Sequence, residues 1–166
     1  MSTQSAIRLF VTGGTIDKHY NELNGELIFT ETKIGEMLAQ SRCKADIQLE
    51  TLMLKDSLEM DEADRQVILK ACQSCDESLV IITHGTDTMT STAKHLAPDL
   101  NGKTVVLLGA MIPYAFKKSD ALFNLGAAVA AVQCLSNNVY IAMNGKIFAW
   151  DQVEKNKAVG VFEEVK

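Results

Sequence analysis

The sequence is poor in the features that mark nucleic-acid-binding, membrane and secreted proteins. Its 16 Lys and Arg residues are outnumbered by 21 Asp and Glu, which gives a formal net charge of −5. Phosphate binding requires clustered positive charge, so nucleic acid is not an expected partner. No apolar run approaches the roughly 20 residues of a membrane-spanning helix, and the N-terminus lacks the pattern of a secretory signal. We therefore expect a cytoplasmic protein with no membrane partner.

Cysteine is too sparse for a scaffold held together by disulfide bonds. The chain has 4 cysteines in 166 residues, whereas small disulfide-rich domains carry them far more densely. Cys72 and Cys75 have the spacing of half a zinc site or of a redox pair, but no second ligand pair accompanies them. We expect reduced, structural thiols and no metal site.

The length and composition are those of a single ordinary domain. Hydrophobic residues make up 47% of the chain and charged residues 22%, close to the average for globular proteins. A second full domain would need a longer chain, and no internal repeat or linker is evident. We predict that residues 1–166 form one domain.

Short apolar segments with strand character alternate with segments of helical periodicity. Strands are predicted at 7–11, 47–54, 79–82, 105–108 and 139–143. Helices are predicted over 34–38 with Thr30 as the cap, from Asp61 to 71, over 89–96, and from Ser119 or Asp120 to 135. Residues 20–29 are predicted to form a hairpin through a type I′ turn at Asn24-Gly25, and the tail from 144 onward a mixture of loop and weak strand.

This alternation predicts an α/β fold with three layers. Continuous apolar strands are typical of a mostly parallel sheet covered by helices on both faces, as in flavodoxin-like and Rossmann-like folds. Ligands of such sheets bind at the carboxyl ends of the strands. Four turns follow predicted strands there: the three that contain glycine are Gly13-Gly14-Thr15, Gly85-Thr86-Asp87 and the turn that begins at Gly109, and the fourth is Lys55-Asp56-Ser57. We expect them to meet and form one site.

Two of these turns place a threonine directly after glycine. Glycine lets the backbone approach a ligand closely, and free backbone N–H groups beside a hydroxyl can form an oxyanion hole. One such turn could be ordinary, with threonine favoured by its β propensity, but two at the same sheet edge indicate a site. A phosphate-binding turn is a weaker interpretation, because both glycine-rich nucleotide motifs are absent and a hairpin follows where a helix should begin.

A threonine hydroxyl is a weak nucleophile and needs an activating neighbour. Tyr20, Asp87 and Lys155 are candidates, and a lysine acts as a base when its surroundings favour the neutral amine. Without further context, Tyr20 would be a packing residue and Lys155 a surface charge. His84 is better explained as structural, with a ring nitrogen bonded to the backbone.

Four motifs together resemble those of the bacterial-type L-asparaginase/glutaminase family, especially its cytoplasmic type I branch. They are Val11-Thr-Gly-Gly-Thr-Ile-Asp17, Ile82-Thr-His-Gly-Thr-Asp-Thr-Met89, Gly109-Ala-Met-Ile-Pro-Tyr-Ala-Phe116 and Ser119-Asp-Ala-Leu-Phe-Asn-Leu125. The resemblance covers nearly the whole chain and implies the N-terminal domain fold of that family. It also implies hydrolysis of L-asparagine to L-aspartate and ammonia, without a cofactor.

The resemblance implies a role for each matching residue. Thr15 would be the nucleophile that forms an acyl-enzyme, with Tyr20 beside it on a flexible lid. Thr86, Asp87 and Lys155 would form a second catalytic group in which lysine acts as the base. The implied substrate-binding residues are Gly14, Asp56, Ser57, Gly85, Asp87 and Ala110. Ser57 and Asp87 would hold the α-carboxylate and α-ammonium groups, and the backbone of Ala110 would meet the amide.

The sequence departs from the family pattern in two ways. The usual enzymes carry a C-terminal domain after the matching region, so we expect a short, single-domain form. Leu58 replaces a glutamine that follows the binding serine, and leucine cannot donate a hydrogen bond to a carboxylate, so we expect low glutaminase activity. The resemblance also implies a homo-oligomer, either a dimer or a tetramer.

Two other functions remain compatible with this pattern. One is an ammonia-releasing component of an amidotransferase, although such components carry additional domains. The other is an amino-acid-binding module that has lost turnover. The presence of all five candidate catalytic residues favours an enzyme over the binding module.

Overall fold

A six-stranded sheet lies at the centre of the structure, a computed structural model that describes residues 5–165. The strands in chain order are β1 (Ile7–Gly13), β2 (Lys18–Asn21), β3 (Glu26–Phe29), β4 (Ile47–Lys55), β5 (Leu79–Thr83), β6 (Thr104–Leu108), β7 (Asn138–Met143), β8 (Lys146–Ala149), β9 (Val153–Asn156) and β10 (Val161–Glu164). The sheet order is β4-β1-β5-β6-β7-β8, and β8 alone runs antiparallel to its neighbour. The carboxyl ends of β4, β1, β5 and β6 therefore share one edge.

Helices cover both faces of the sheet. They are α1 (Ile34–Gln40), α2 (Glu62–Ser74), α3 (Met89–Leu96) and α4 (Ala121–Val132). Alternate residues of the central strands enter opposite layers: Val80 and Ile82 pack with α2 and α3, while Ile81 packs with α1 and α4. Both faces are apolar because both are buried, which explains the continuous hydrophobic strands. The predicted three-layer α/β fold is confirmed.

The hairpin over residues 18–29 is present, but its turn is not the predicted type I′ turn. Four residues, 22–25, connect β2 to β3, and Gly25 alone among them has a positive φ. The Asn-Gly pair that forms a two-residue turn is instead Asn144-Gly145, with φ of 56° and 74°, between the antiparallel strands β7 and β8. Both φ angles of a type I′ turn must be positive, so the type I′ turn predicted at Asn24-Gly25 is wrong.

The cap predicted for α1 is also wrong. Thr30 makes no cap; the backbone N–H of Lys33 donates to Asp17 Oδ1 at 3.0 Å and that of Ile34 to Thr32 Oγ1 at 3.2 Å. For α2 the prediction is confirmed, because Asp61 and Asp64 form a reciprocal capping box.

The predicted end of the last helix needs correction as well, because α4 ends at Val132 rather than near 135. The tail consists of β8, the antiparallel pair β9–β10 and their connections, as the predicted mixture of loop and strand requires. Cys72 is buried in the core, which raises the pKa of its thiol to about 12.

None of the helices within residues 5–165 has both the length and the apolar character that a membrane-spanning helix requires.

Candidate active site

The turns at the carboxyl edge of the sheet pack directly on one another through glycine. A Cβ on Gly13 would lie 2.4 Å from the backbone nitrogen of Lys55, and a Cβ on Gly14 would lie 2.4 Å from that of Gly85. A Cβ on Gly109 would lie 2.4 Å from the carbonyl oxygen of His84. These distances are too short for any side chain. Four chain segments therefore meet at this edge because three of the contact positions are glycine.

Buried threonines connect the strands immediately before two of these turns. The Thr12 hydroxyl donates to the carbonyl oxygen of Thr83 at 2.6 Å, and the backbone N–H of Thr12 lies 3.4 Å from Thr83 Oγ1. Both residues are fully buried. Since Thr12 precedes the Gly13-Gly14 turn and Thr83 precedes the turn at His84-Gly85, these bonds fix the two turns relative to each other.

Lys155, Thr86 and Asp87 form a hydrogen-bonded cluster. The ammonium group of Lys155 lies 2.8 Å from Thr86 Oγ1 and 2.8 Å from Asp87 Oδ1. The Lys155 side chain is 10% exposed and that of Asp87 is 38% exposed, so the pair is only partly open to solvent. The sequence predicted these three residues as one catalytic group, and the structure brings their side chains together.

The turn that carries Thr15 is in backbone contact with the turn that carries Thr86 and Asp87. Gly14 packs on Gly85, and the two threonines follow these glycines directly, so Thr15 and Thr86 flank one backbone contact. Thr15 is half-buried and begins a short 3₁₀ turn. Within residues 5–165 its hydroxyl has no hydrogen-bond partner, which leaves it free to meet a substrate.

Tyr20 is the candidate that the structure leaves apart from the others. It lies in β2 opposite Leu27, is 57% exposed, and its hydroxyl is 3.9 Å from where a Cβ on Gly25 would be. The ring therefore lies along its own hairpin. No hydrogen bond joins it to Thr15 in the described part of the chain, so its participation in catalysis stays a prediction.

Ser57 is buried at the same edge of the sheet. A Cβ on Gly85 would lie 2.5 Å from Ser57 Oγ. The backbone N–H of Thr88 lies 3.3 Å from Ser57 Oγ, and the Thr88 hydroxyl donates to the Ser57 carbonyl oxygen at 2.8 Å. Thr88, which the sequence did not single out, thus fixes Ser57 against the Gly85 turn.

Asp56 faces the hairpin rather than the threonines. One of its oxygens accepts from the backbone N–H of Leu58 at 3.0 Å, and the other accepts from the ammonium group of Lys18. The neighbouring Lys18 cation lowers the pKa of the Asp56 carboxyl. Its carboxylate already has partners, and its predicted role in substrate binding stays a prediction.

The turn after β6 is shaped by two residues whose role the sequence left unassigned. The Asp120 carboxylate accepts the backbone N–H groups of Met111 and Ile112 at 2.9 and 3.0 Å, and the Asn124 side chain donates to the Gly109 carbonyl oxygen at 2.9 Å. Between these contacts lies Ala110, which is 1% exposed. The Ser119–Leu125 motif carried the signal, since both residues belong to it.

His84 has a structural environment, as predicted. Its Nδ1 is 2.8 Å from the Gly85 carbonyl oxygen, and its Nε2 is 2.8 Å from Thr92 Oγ1. A carbonyl can only accept, so Nδ1 carries the proton and Nε2 accepts from the threonine hydroxyl. The Thr92 oxygen in turn accepts from Arg65 Nε. Burial lowers the pKa of His84 to about 4, which keeps the ring neutral at pH 7.

Asp17 is a functional candidate that sequence reasoning missed. It is 1% exposed, and its Oδ1 accepts from the Thr32 hydroxyl at 2.9 Å as well as from the start of α1. Its Oδ2 is buried and has no hydrogen-bond partner among the described residues, and burial raises its pKa. Asp17 thus joins the turn that carries Thr15 to α1. The available sequence signal was its position at the end of the Val11–Asp17 motif.

Comparison with known proteins agrees with this geometry. Residues 6–163 match the family profile described as "Asparaginase, N-terminal". The probable periplasmic L-asparaginase of Haemophilus influenzae is 32% identical over 167 residues, which cover 93% of this chain and 47% of that protein. A weaker match, at 28% identity, is one component of the glutamyl-tRNA(Gln) amidotransferase of Methanococcus vannielii, of which 34% is covered.

Solved structures show the same fold. The thermostable L-asparaginase of Thermococcus kodakarensis superimposes with a TM-score of 0.80 at 26% identity, over 96% of this chain and 51% of that one. The probable cytoplasmic L-asparaginase of Campylobacter jejuni gives a TM-score of 0.78 at 30% identity, with 96% and 53% coverage. The chain spans about half the length of the relatives that it matches.

Proposed function

The chain belongs to the asparaginase family, and we propose that it hydrolyses the side-chain amide of L-asparagine to give L-aspartate and ammonia. The observation that carries the proposal is the placement of Lys155, 2.8 Å from both Thr86 Oγ1 and Asp87 Oδ1. The turn that carries Thr86 and Asp87 packs on the turn that presents the unpartnered hydroxyl of Thr15. A hydroxyl nucleophile, a second hydroxyl, a carboxylate and an amine at one sheet edge suit acyl transfer.

In the first step, Thr15 Oγ attacks the carbon of the side-chain amide. The new C–O bond forms while the C–N bond breaks, and the hydroxyl proton leaves with the nitrogen as ammonia. The developing oxyanion needs hydrogen-bond donors that are already in place. Backbone N–H groups of the glycine turns and of the segment at Ala110 are the candidates for this role.

In the second step, water hydrolyses the aspartyl ester on Thr15. Lys155 donates a hydrogen bond to the Thr86 oxygen and so helps to fix the position of this hydroxyl. A substrate α-ammonium bound at Asp87 would compete for the carboxylate that now pairs with Lys155. As the proposed base, Lys155 takes a proton from the attacking water, directly or through Thr86, and this proton passes to Thr15 Oγ as the C–O bond of the ester breaks and aspartate leaves.

Ammonia release from the purified chain tests the proposal. We expect release from L-asparagine, a loss of at least about 1000-fold in Thr15→Ala and Lys155→Met, and near-unchanged activity in Thr90→Ala, a threonine of α3 outside the cluster. An acyl adduct trapped by rapid quench should lie on Thr15; an adduct on Thr86 would reverse the two roles. Binding of asparagine without ammonia release would identify a binding module instead.

Low glutaminase activity is a further part of the proposal. Leu58 is 68% exposed, and its backbone N–H is already bonded to Asp56. Its side chain can offer a carboxylate no hydrogen bond, so a longer substrate gains nothing at this position. We expect a kcat/KM for glutamine well below that for asparagine, and comparable values would contradict the assignment of Leu58.

Oligomeric state and location are the remaining expectations. We propose a homodimer or homotetramer, which light scattering coupled to size-exclusion chromatography would measure; a monomer at micromolar concentration would contradict it. We also propose a cytoplasmic location. One relative is named as periplasmic and one structural neighbour as cytoplasmic, so cell fractionation of the native protein is the direct measurement.

A further inference from the structure

We propose that Lys18 is a specificity-determining residue that recognises the α-carboxylate of the substrate. The inference rests on the proposed function, because it concerns the group that asparagine presents beside the amide. Lys18 is the first residue of β2 and comes three residues after Thr15. It therefore connects the turn of the proposed nucleophile to the hairpin that borders the site.

The ammonium group of Lys18 is held against the turn that carries Ser57. Its side chain is only 17% exposed, it pairs with Asp56, and it lies 5.7 Å from the centre of the Phe29 ring. Asp56 directly precedes Ser57, which we assign to the α-carboxylate. The charge is thus placed at the side of the site where a substrate carboxylate would bind.

The hydrogen-bonding capacity of Lys18 is only partly used. A lysine ammonium has three N–H donors, and within residues 5–165 the Asp56 carboxylate is its one hydrogen-bond acceptor. Leaving donors of a mostly buried cation unpaired is costly. Because the Asp56 charge is also shared with the backbone N–H of Leu58, Lys18 can bind a second carboxylate.

The other lysines near this edge are committed elsewhere. Lys155 donates to Thr86 and Asp87, and Lys55 pairs with Asp64 at 2.6 Å through a side chain that is 41% exposed. A zwitterionic substrate needs an anion for its ammonium group and a cation for its carboxylate. Asp87 supplies the first, and Lys18 supplies the second at a site where Leu58 offers no side-chain donor.

The test compares asparagine with β-alaninamide, which is asparagine without its α-carboxylate. In Lys18→Met we expect the KM for asparagine to rise about 10- to 100-fold, the range for one charge-assisted hydrogen bond. The kcat should change less than about threefold, and kcat/KM for β-alaninamide should stay the same. Lys18→Arg should recover much of the loss, and Lys70→Met, at an exposed position of α2, should behave like the wild type.

Calorimetric titration of the Thr15→Ala background separates this inference from the proposed function. If Lys18→Met lowers the preference for asparagine over β-alaninamide there, Lys18 recognises the carboxylate even when the wild type releases no ammonia. Equal weakening of both ligands would reduce Lys18 to a structural contact of the hairpin and overturn the inference. The inference would also be overturned if the preference for asparagine over β-alaninamide did not change, or if Thr15→Ala with Lys18 in place did not bind asparagine.

Discussion

Substitution of Gly14 by alanine tests whether the active-site turns are packed as tightly as their geometry indicates. Gly14 has φ of 83° and ψ of 177°, a region that essentially only glycine adopts. An added Cβ would lie 2.4 Å from the backbone nitrogen of Gly85, whereas ordinary contacts begin near 3.4 Å. The obstructing atoms belong to the backbone, so no side chain can rotate away.

The expected loss of activity follows from the short distance between an added Cβ on Gly14 and the backbone nitrogen of Gly85. To restore contact distance, the two turns must separate by about 1 Å, and Thr15 and Thr86 move apart with them. A misplacement of about 1 Å can cost roughly 100-fold in catalytic rate. We therefore expect kcat to fall about 100-fold in Gly14→Ala, in addition to a loss of stability from the unfavourable backbone angles.

Gly102 provides the matched control. Its φ is 81°, nearly that of Gly14, but no atom lies within 4 Å of the position of an added Cβ. Alanine there should cost about 1–2 kcal/mol of stability from the positive φ and leave kcat unchanged. Urea unfolding and ammonia release measure the two quantities. If Gly14→Ala kept more than about a third of the wild-type kcat, the close packing of the turns would be refuted.

Two buried titratable groups give pH-dependent predictions. The His84 pKa is lowered to about 4, so its contribution to stability is complete above pH 6.5 and is lost as the pH falls toward 4. About 3 kcal/mol of the free energy of unfolding should be lost over this range. Urea titrations at each pH should show no such loss in His84→Gln, and an equal pH dependence of the unfolding free energy in the variant would contradict the assignment. Burial raises the pKa of Asp17, so its charged form is disfavoured in the fold, and wild-type stability relative to Asp17→Asn should fall as the pH rises from about 4 through the raised pKa. A difference independent of pH would show that Asp17 does not titrate there.

The central strands could be predicted because their signal is local. The segments at 7–11, 79–82 and 105–108 are apolar on both faces and end at polar turns, and each is a parallel strand of the sheet. The capping box of Asp61 and Asp64 was also readable, since both partners lie within one helical turn. Where a pattern and its physical cause lie within a few residues, sequence reasoning was sufficient.

Errors arose where the deciding contact is distant in sequence. The residue that precedes α1, Lys33, donates its backbone N–H to Asp17, which lies 16 residues earlier in the chain, so the nearby Thr30 offered a simpler local explanation. The chain has three Asn-Gly pairs, at 24–25, 101–102 and 144–145, and they are identical as dipeptides. Only the length of the connection and the strands on each side decide that Asn144-Gly145, and not Asn24-Gly25, forms the two-residue turn.

The approach of Lys155 to Thr86 depends on contacts that no local pattern contains. Lys155 lies opposite Phe162 in the β9–β10 pair, Phe162 is buried in the core, and its backbone N–H donates to Asn144 Oδ1 at 2.8 Å. The asparagine that forms the type I′ turn after β7 thus also holds the strand opposite the proposed base. Lys155 can meet Thr86 and Asp87 only after this tail has docked on the sheet, so a substitution at Asn144 should impair activity although its side chain touches neither residue.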